Sequence, residues 1–320
     1  MRLVSIVLTT LNSERYLARS LESCLKQTYR NLEVLIVDGG SQDRTLEIAA
    51  GHADPRLRVI HQTDNEGRLP GAINLGLAEA QGDYLTWAQD DCWYELHAVQ
   101  TLADCLDAHS DVGLVYSDYW DVDEAGARLR YHSVNPPTPE CLLADDVVRQ
   151  SFLFRREVYQ AVGPLDARHY PVHDVTWRVS AARRFRLQPL HTPLLYYTQH
   201  AASLTGRIGP WTLQRQMAAA LFQEGHFTPA GYRRRLAVID LHQAYEDYIL
   251  RGDYGAFWRH ALAGLGRDPR RLLDRGLLKL MLWSALPGRG RLRDGLLARW
   301  QADDHQRQQS LARRAGRPAP

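Results

Sequence analysis

The 320-residue chain has only four cysteines, Cys24, Cys92, Cys105 and Cys141, and no two stand at CxxC spacing. That argues against a structural zinc site or a redox dithiol and leaves a reduced, cytoplasmic protein as the expectation. No apolar run reaches the roughly 20 residues that cross a bilayer. The opening MRLVSIVLTTLN is basic and then apolar. Its apolar run is too short for a secretory signal and has no small-residue cleavage site, so it reads as a buried first strand. GxGxxG is absent from the first loop, which removes the dinucleotide-binding fingerprint. A glycine- and arginine-rich phosphate loop is missing too, which argues against an enzyme that makes nucleotide sugars. The net charge is +2, so the chain as a whole is no polyanion binder. Arginines crowd the region after Arg207, but no aromatic residues interleave with those of the tail, and nucleic acid is not an expected partner. There is no internal repeat.

Apolar residues make up 45% and charged residues 24% of the sequence, a globular balance. Leu3 to Thr10 is β-branched and almost wholly apolar, like a strand covered on both faces. Tyr16, Leu17, Leu21, Cys24 and Leu25 follow at helical spacing. Leu32 to Val37 is a second strand, with Asp38 at its tip and Gly39-Gly40 allowing a tight turn. Ser41 or Asp43 caps a helix to about Ala50. Leu57 to His61, a loop from Asn65, a helix from Ala72 and a strand from Tyr84 to Ala88 complete a βαβαβαβ pattern. That pattern predicts a parallel, doubly wound α/β sheet. Further on, the pattern predicts a helix over Glu95 to His109, a strand over Gly113 to Ser117 and a turn at Asp123 to Gly126. A proline-rich loop at Asn135 to Pro139, a strand over Phe152 to Phe154, helices near Arg156 and Asp174 and a strand over Leu194 to Thr198 follow. From Trp211 the signal is helical only. The expected organisation is a sugar-nucleotide-type domain over 1–208, a helical region over 209–304 and a disordered basic tail over 305–320.

Carboxylates gather at strand tips. In an open α/β sheet, ligands sit outside the carboxyl ends of the strands. Asp90 and Asp91 follow the fourth strand, and Asp38 the second. Magnesium or manganese needs only one or two carboxylates when substrate phosphates supply the other oxygens. The plain alternative for each aspartate is a helix cap or a turn. Asp174, just before a helix, is either a cap or a general base. His200, two residues past a strand, is a partly exposed histidine, a metal ligand or a phosphate contact.

Taken together, SIVLTTLNSERYLARSLESCLKQTYRNLEVLIVDGGSQDRT, NEGRLPGAINLGLAEAQGDYLTWAQDD, VYSDYWDVDEAG, FLFRREVYQAVGPLD and LLYYTQHAASLT resemble the family-2 inverting glycosyltransferases. The likeness covers Met1 to about Thr205. It implies a GT-A-type fold: a Rossmann-like, mostly parallel sheet flanked by helices, here with a helical C-terminal extension. It implies sugar transfer from a nucleotide-diphospho-sugar to a hydroxyl on a glycan or lipid-linked acceptor, aided by Mg2+ or Mn2+, as in cell-surface polysaccharide or glycolipid assembly. By position, Thr9, Asn12, Glu14, Asp38, Asn74 and Asp90 fall on the nucleotide side. Asp91 and His200 fall on the metal, and Asp174 is the catalytic base. Three departures stand out. Ala88 and Gln89 precede the aspartate pair where another acid is usual. His173 replaces the glutamate of a Glu-Asp pair. Thr198 stands where an arginine is common. A catalytically silent sugar-nucleotide-binding module is the alternative these departures leave open. In the helical region, Leu273, Leu277, Leu280 and Met281 form a stripe flanked by arginines. It reads either as packing within that region or as peripheral contact with anionic lipid at the inner membrane face.

Overall fold

A computed structural model describes residues 1–63, 68–134, 151–273, 275–285 and 289–314. Cys141, the Asn135–Pro139 loop and the start of the loop at Asn65 fall outside the described residues. The chain divides into two compact units, Met1–Ser203 and Leu204–Arg314.

The first unit begins with β1 (Val4–Thr10), α1 (Leu17–Leu25), β2 (Leu32–Asp38), α2 (Thr45–Ala50), β3 (Leu57–His61), α3 (Arg68–Glu79) and β4 (Tyr84–Gln89). The four strands pair in the order β3-β2-β1-β4, all parallel. Every residue of β1 is buried, Ser5, Thr9 and Thr10 included, as in a strand covered on both faces. Successive strand residues point to opposite faces. Ile6, Leu8, Val34 and Ile36 therefore meet Leu17, Leu21, Cys24 and Leu25 of α1 in the main core. Val7 and Val37 point the other way, and α3 lies against them at Gly76, where a Cβ would fall 2.3 Å from Val7 Cγ1.

The second half of the unit adds β5 (Cys92–Tyr94), α4 (Ala98–Ala108), β6 (Val112–Val122), β7 (Arg128–His132) and β8 (Phe152–Arg155). It ends with α5 (Arg156–Val162), α6 (His173–Ala182) and β9 (Arg186–Thr198). The path continues β4-β8-β6-β9-β5, with β7 on β6. β8 is antiparallel to both β4 and β6, while β6 and β9 are parallel. β6 and β9 therefore run in the direction of β1 to β4, and the carboxyl ends of these six strands share one edge. β5, β7 and β8 run against them.

The sheet is thus mostly parallel and mixed, where the first half of the sequence alone suggested a uniformly parallel one. β6 and β9 are also longer than expected. β9 passes through Pro189 and Pro193, and Pro193, which looks like a breaker, sits at a register shift of its pairing with β6. The helix expected from Glu95 starts at Ala98, because β5 takes the preceding residues as an edge partner for β9. The helix expected from Ala72 starts at Arg68 and carries Pro70 in its first turn, where a missing amide hydrogen is tolerated.

The second unit is helical throughout its described residues: α7 (Leu204–Ile208), α8 (Pro210–Gln223), α9 (Pro229–Glu246), α10 (Tyr254–Arg267), α11 (Arg275–Ser284) and α12 (Arg289–Arg314), with short turns between. Thr228 and Asp253 cap α9 and α10 by accepting from the amides of Gly231 and Ala256. Leu241, Ala244, Tyr248, Phe257, Ala261, Leu265, Leu277 and Leu280 form its core. Leu277 and Leu280, the middle of the stripe offered for lipid contact, are therefore packed inside the unit. The tail expected to lack structure from His305 continues as helix to Arg314. No glycine or proline falls between Gly295 and Gly316, so nothing in the sequence breaks the helix before that point. Residues 315–320 lie outside the described residues.

Candidate active site

The carboxyl edge of the sheet brings together the loops after β1, β2, β4 and β9. Asp38 ends β2 and Asp90 follows β4, the strands that flank β1 on either side, so two strand spacings, about 10 Å, separate their backbones. Asp38 is 1% exposed. Its carboxylate accepts from the amides of Gly40 at 3.0 Å and Ser41 at 3.2 Å, and Gly40 has φ 93°. His61 Nδ1 stands 3.8 Å away. Asp38 thus shapes the turn that follows β2 while remaining at the sheet edge. Thr9 is buried, and its hydroxyl donates to the Ala88 carbonyl at 3.4 Å, tying β1 to β4 beneath the cleft.

Asp90 and Asp91 form the turn between β4 and β5. Leu11 N donates to Asp90 Oδ2 at 3.3 Å. Burial, and then the neighbouring Asp91 carboxylate, push the Asp90 carboxyl up to about 6, against the pull of the Thr10 and Ser13 hydroxyls. Asp91 is held from three sides. His200 Nε2 lies 3.1 Å from Oδ2, the Cys92 thiol donates to Oδ1 at 3.2 Å, and the Thr198 hydroxyl donates to the backbone carbonyl. The His200 imidazole is raised above its usual value, chiefly by its bond to Asp91. Its ring packs against Tyr16 with centroids 4.7 Å apart. The Tyr16 hydroxyl donates to Glu124 at 2.6 Å, and Arg15 pairs with the same carboxylate.

Two oxygen donors and an imidazole are what a hard divalent cation accepts when phosphate oxygens complete the set. Among the described residues no three His, Cys, Asp or Glu side chains are gathered closely enough to hold a metal alone. Asp91 and His200 nevertheless suit a cation shared with a diphosphate. Among the described residues the buried Nδ1 of His200 has no hydrogen-bond partner, and Nε2 bonds to the carboxylate that would share the cation.

The remaining expected residues have structural partners. Asn12 and Glu14 cross to the loop after β2, where Oδ1 of Asn12 accepts from Gln42 N at 2.8 Å and Oε2 of Glu14 from Arg44 N at 3.1 Å. Asn74, on α3, bonds both ways with the Leu165 peptide, at 2.8 Å in each direction. Those bonds serve the α3–Leu165 contact. Asp174 sits in the first turn of α6, with Arg178 Nη2 3.0 Å from Oδ2. Arg178 is fully buried, whereas the Asp174 side chain is 23% exposed. Trp177, one turn on, packs edge-on against Trp87 of β4 with centroids 5.3 Å apart. His173, next to Asp174, is 2% exposed, its Nδ1 has no hydrogen-bond partner among the described residues, and burial lowers its affinity for a proton. The imidazole in the glutamate's place is therefore pushed towards its neutral form. Sequence spacing missed Cys92, Thr198 and the Tyr16–Glu124 contact. Glu124 lies 108 residues from Tyr16, and no local pattern announces such a pair.

Residues 5–163 match the family model described as "Glycosyl transferase family 2". The glycosyltransferase GlyG of Streptococcus pneumoniae serotype 4 is 33% identical over 132 residues, 41% of this chain and 43% of GlyG. An uncharacterised glycosyltransferase of Rickettsia conorii is 31% identical over 40% of this chain and 21% of its own length. The matched stretches thus span less than half of these relatives. Among solved structures, S. aureus TarS 1–349 in complex with UDP-GlcNAc has a TM-score of 0.58 at 17% identity, covering 98% of this chain and 92% of that one. The mannosyltransferase PcManGT of Pyrobaculum calidifontis, in complex with GDP-Man and Mn2+, has a TM-score of 0.55 at 17% identity, covering 93% and 87%. At such identities the structural likeness speaks for the fold, which is GT-A. With the family match over the unit that carries the carboxylate edge, the chain belongs to the family-2 glycosyltransferases.

Proposed function

We propose that the protein transfers a sugar from a nucleotide-diphospho-sugar to a hydroxyl of a glycan or lipid-linked acceptor, with inversion at the anomeric carbon. The observation that carries this reading is the shared edge where Asp38, the Asp90–Asp91 turn and His200 meet, bridged by the loop after β1. Asp38 and the β2 turn take the base side, and Asp90 faces the middle of the nucleotide. Asp91 and His200 would hold Mg2+ or Mn2+ there. When bound, such a cation supplies Lewis-acid stabilisation of charge on the departing diphosphate. Asp174 takes the proton from the acceptor hydroxyl, and Arg178 fixes the direction of its carboxylate. The acceptor oxygen forms its bond to the anomeric carbon on the face opposite the breaking bond to the diphosphate, so one displacement inverts the configuration. Assembly of cell-surface polysaccharide or glycolipid is the proposed setting.

The test incubates the purified protein with UDP- and GDP-sugars and Mn2+, following thermal shift and release of nucleoside diphosphate. Stabilisation and turnover with at least one donor, both lost in EDTA and regained with Mn2+, are expected. Stabilisation without any turnover or hydrolysis would favour the silent binding module, and indifference to every donor would end the reading.

A further inference from the structure

The loops after β1 and β2 are joined by an unusual density of side-chain to backbone hydrogen bonds, and these run in both directions. From the first loop to the second, Asn12 N donates to Ser41 Oγ at 2.9 Å, Ser13 N to Thr45 Oγ1 at 2.7 Å and Glu14 N to Asp43 Oδ2 at 3.0 Å. In return, Gln42 N donates to Asn12 Oδ1 at 2.8 Å and Arg44 N to Glu14 Oε2 at 3.1 Å. Gly39 N donates to the Thr10 carbonyl at 2.9 Å. Asp43 also accepts from the amide and hydroxyl of Thr45, so its two oxygens face the two loops. Asn12 holds φ 51°, a left-handed conformation that is unfavourable for residues other than glycine. Asparagine tolerates it best among such residues, and here its side chain closes a reciprocal pair.

The outer ends of the two loops touch the two halves of the site. The second loop is folded onto Asp38 through the amides of Gly40 and Ser41. The first reaches Asp90 through the amide of Leu11. We infer that the two loops are welded into one body, in which Asn12, Glu14 and Asp43 are positioning residues that set the separation between Asp38 and the Asp90–Asp91 turn. Asn12 and Glu14 then act on a bound nucleotide through the loops, without touching the base. The inference deepens the nucleotide-sugar reading and rests on it for its ligand. The mechanical coupling stands apart from that reading.

Two measurements test it on the full-length protein. The first titrates UDP and GDP, each with Mn2+, against Glu14→Ala, Glu14→Gln, Asp43→Ala and the Glu14→Ala/Asp43→Ala double variant. Glutamine keeps an oxygen acceptor for the Arg44 amide and removes only the charge. Glu14→Ala and Asp43→Ala are expected to weaken nucleotide binding about 5- to 30-fold, on the scale of one or two lost acceptors. Glu14→Gln should stay within about twofold, and the double variant should be no weaker than the worse single, as coupled groups are. Glu14→Gln as weak as Glu14→Ala, or single effects that multiply, would overturn the inference, because either means direct and separate contact with ligand. The second measurement is amide hydrogen exchange without ligand. Glu14→Ala should speed exchange across the weld at Arg44 and Gln42, and along its own loop at Leu11. Acceleration confined to Arg44 would overturn the coupling even if nucleotide binding fell. Should the wild-type protein bind neither nucleotide, the proposed function fails, and exchange alone still decides whether the loops move together.

Discussion

At Asp91, each carboxylate oxygen faces a donor that a bound cation would have to share or displace. His200 Nε2 is the stronger of the two and the Cys92 thiol the weaker. Asp91→Asn would leave the turn intact and remove the charge. It is expected to lower Mn2+-dependent transfer by about a hundredfold or more with little change in melting temperature, and steady-state kinetics across a Mn2+ series checks this. Protons compete at the same place. Asp90 titrates at about 6, and His200 holds its proton above its ordinary value. A cation held by Asp91 and His200 needs the imidazole neutral and gains from an ionised Asp90 beside them, so both shifts oppose binding in acid and relax as pH rises. Mn2+ affinity, read by electron paramagnetic resonance, should therefore climb from pH 5.5 to 7.5, and a flat profile would contradict the assignment of these two residues. At Asp174 the prediction concerns the proton. Asp174→Asn keeps an oxygen near Arg178 and cannot accept the acceptor's proton, so kcat should fall about 100- to 10,000-fold while donor binding persists. A variant that transfers at the wild-type rate would remove Asp174 as base.

Helix α3 shows how an element is set by what it must fit against. Its amphipathic pattern was legible in the sequence, but its reason for carrying Gly76 was not. That glycine allows the helix backbone to approach Val7 and Val37 of the sheet. Gly76→Ala gains helix propensity in isolation yet puts a methyl within 2.3 Å of Val7 Cγ1. Overpacking of this kind costs about 1–3 kcal/mol, so the melting temperature should drop by several degrees; an unchanged or raised value would mean that α3 shifts freely on the sheet. The loops after β1 and β2 make the same point. The resemblance put Asn12 and Glu14 on the nucleotide side. Their partners, Ser41 through Arg44, lie about 30 residues along the chain, and no spacing rule joins one loop to another. β5 was missed for a related reason. Three residues between a turn and a helix carry no period of their own, and only pairing with β9 makes them a strand.

Over the whole molecule, charge is divided unevenly. Residues 1–203 hold 19 Lys and Arg against 27 Asp and Glu, while residues 204–314 hold 19 against 10. The basic helical unit turns Leu277 and Leu280 inward and leaves Leu278 40% and Leu282 69% exposed on the opposite side of α11, beside the exposed Lys279. If this unit meets anionic lipid, that outer row makes the contact. The full chain should then sediment with vesicles containing anionic lipid and not with zwitterionic ones. The interaction should weaken with salt, and Leu278→Asp/Leu282→Asp should abolish it. Binding that survives the double substitution would reduce the effect to bulk charge.

What the sequence determined by itself was the alternation of apolar strands and amphipathic helices, and with it the edge on which the aspartates lie. Period and polarity are local properties, and a parallel sheet leaves its strand tips one side to share. Only the tertiary structure decided what each of those residues touches. It set Asp91 against His200 and Cys92, Glu14 against Arg44, Asn74 against Leu165, and Leu277 inward with Leu282 outward. Such pairings depend on how distant loops and helix faces meet in space, and the free energy that selects them belongs to contacts between segments far apart along the chain.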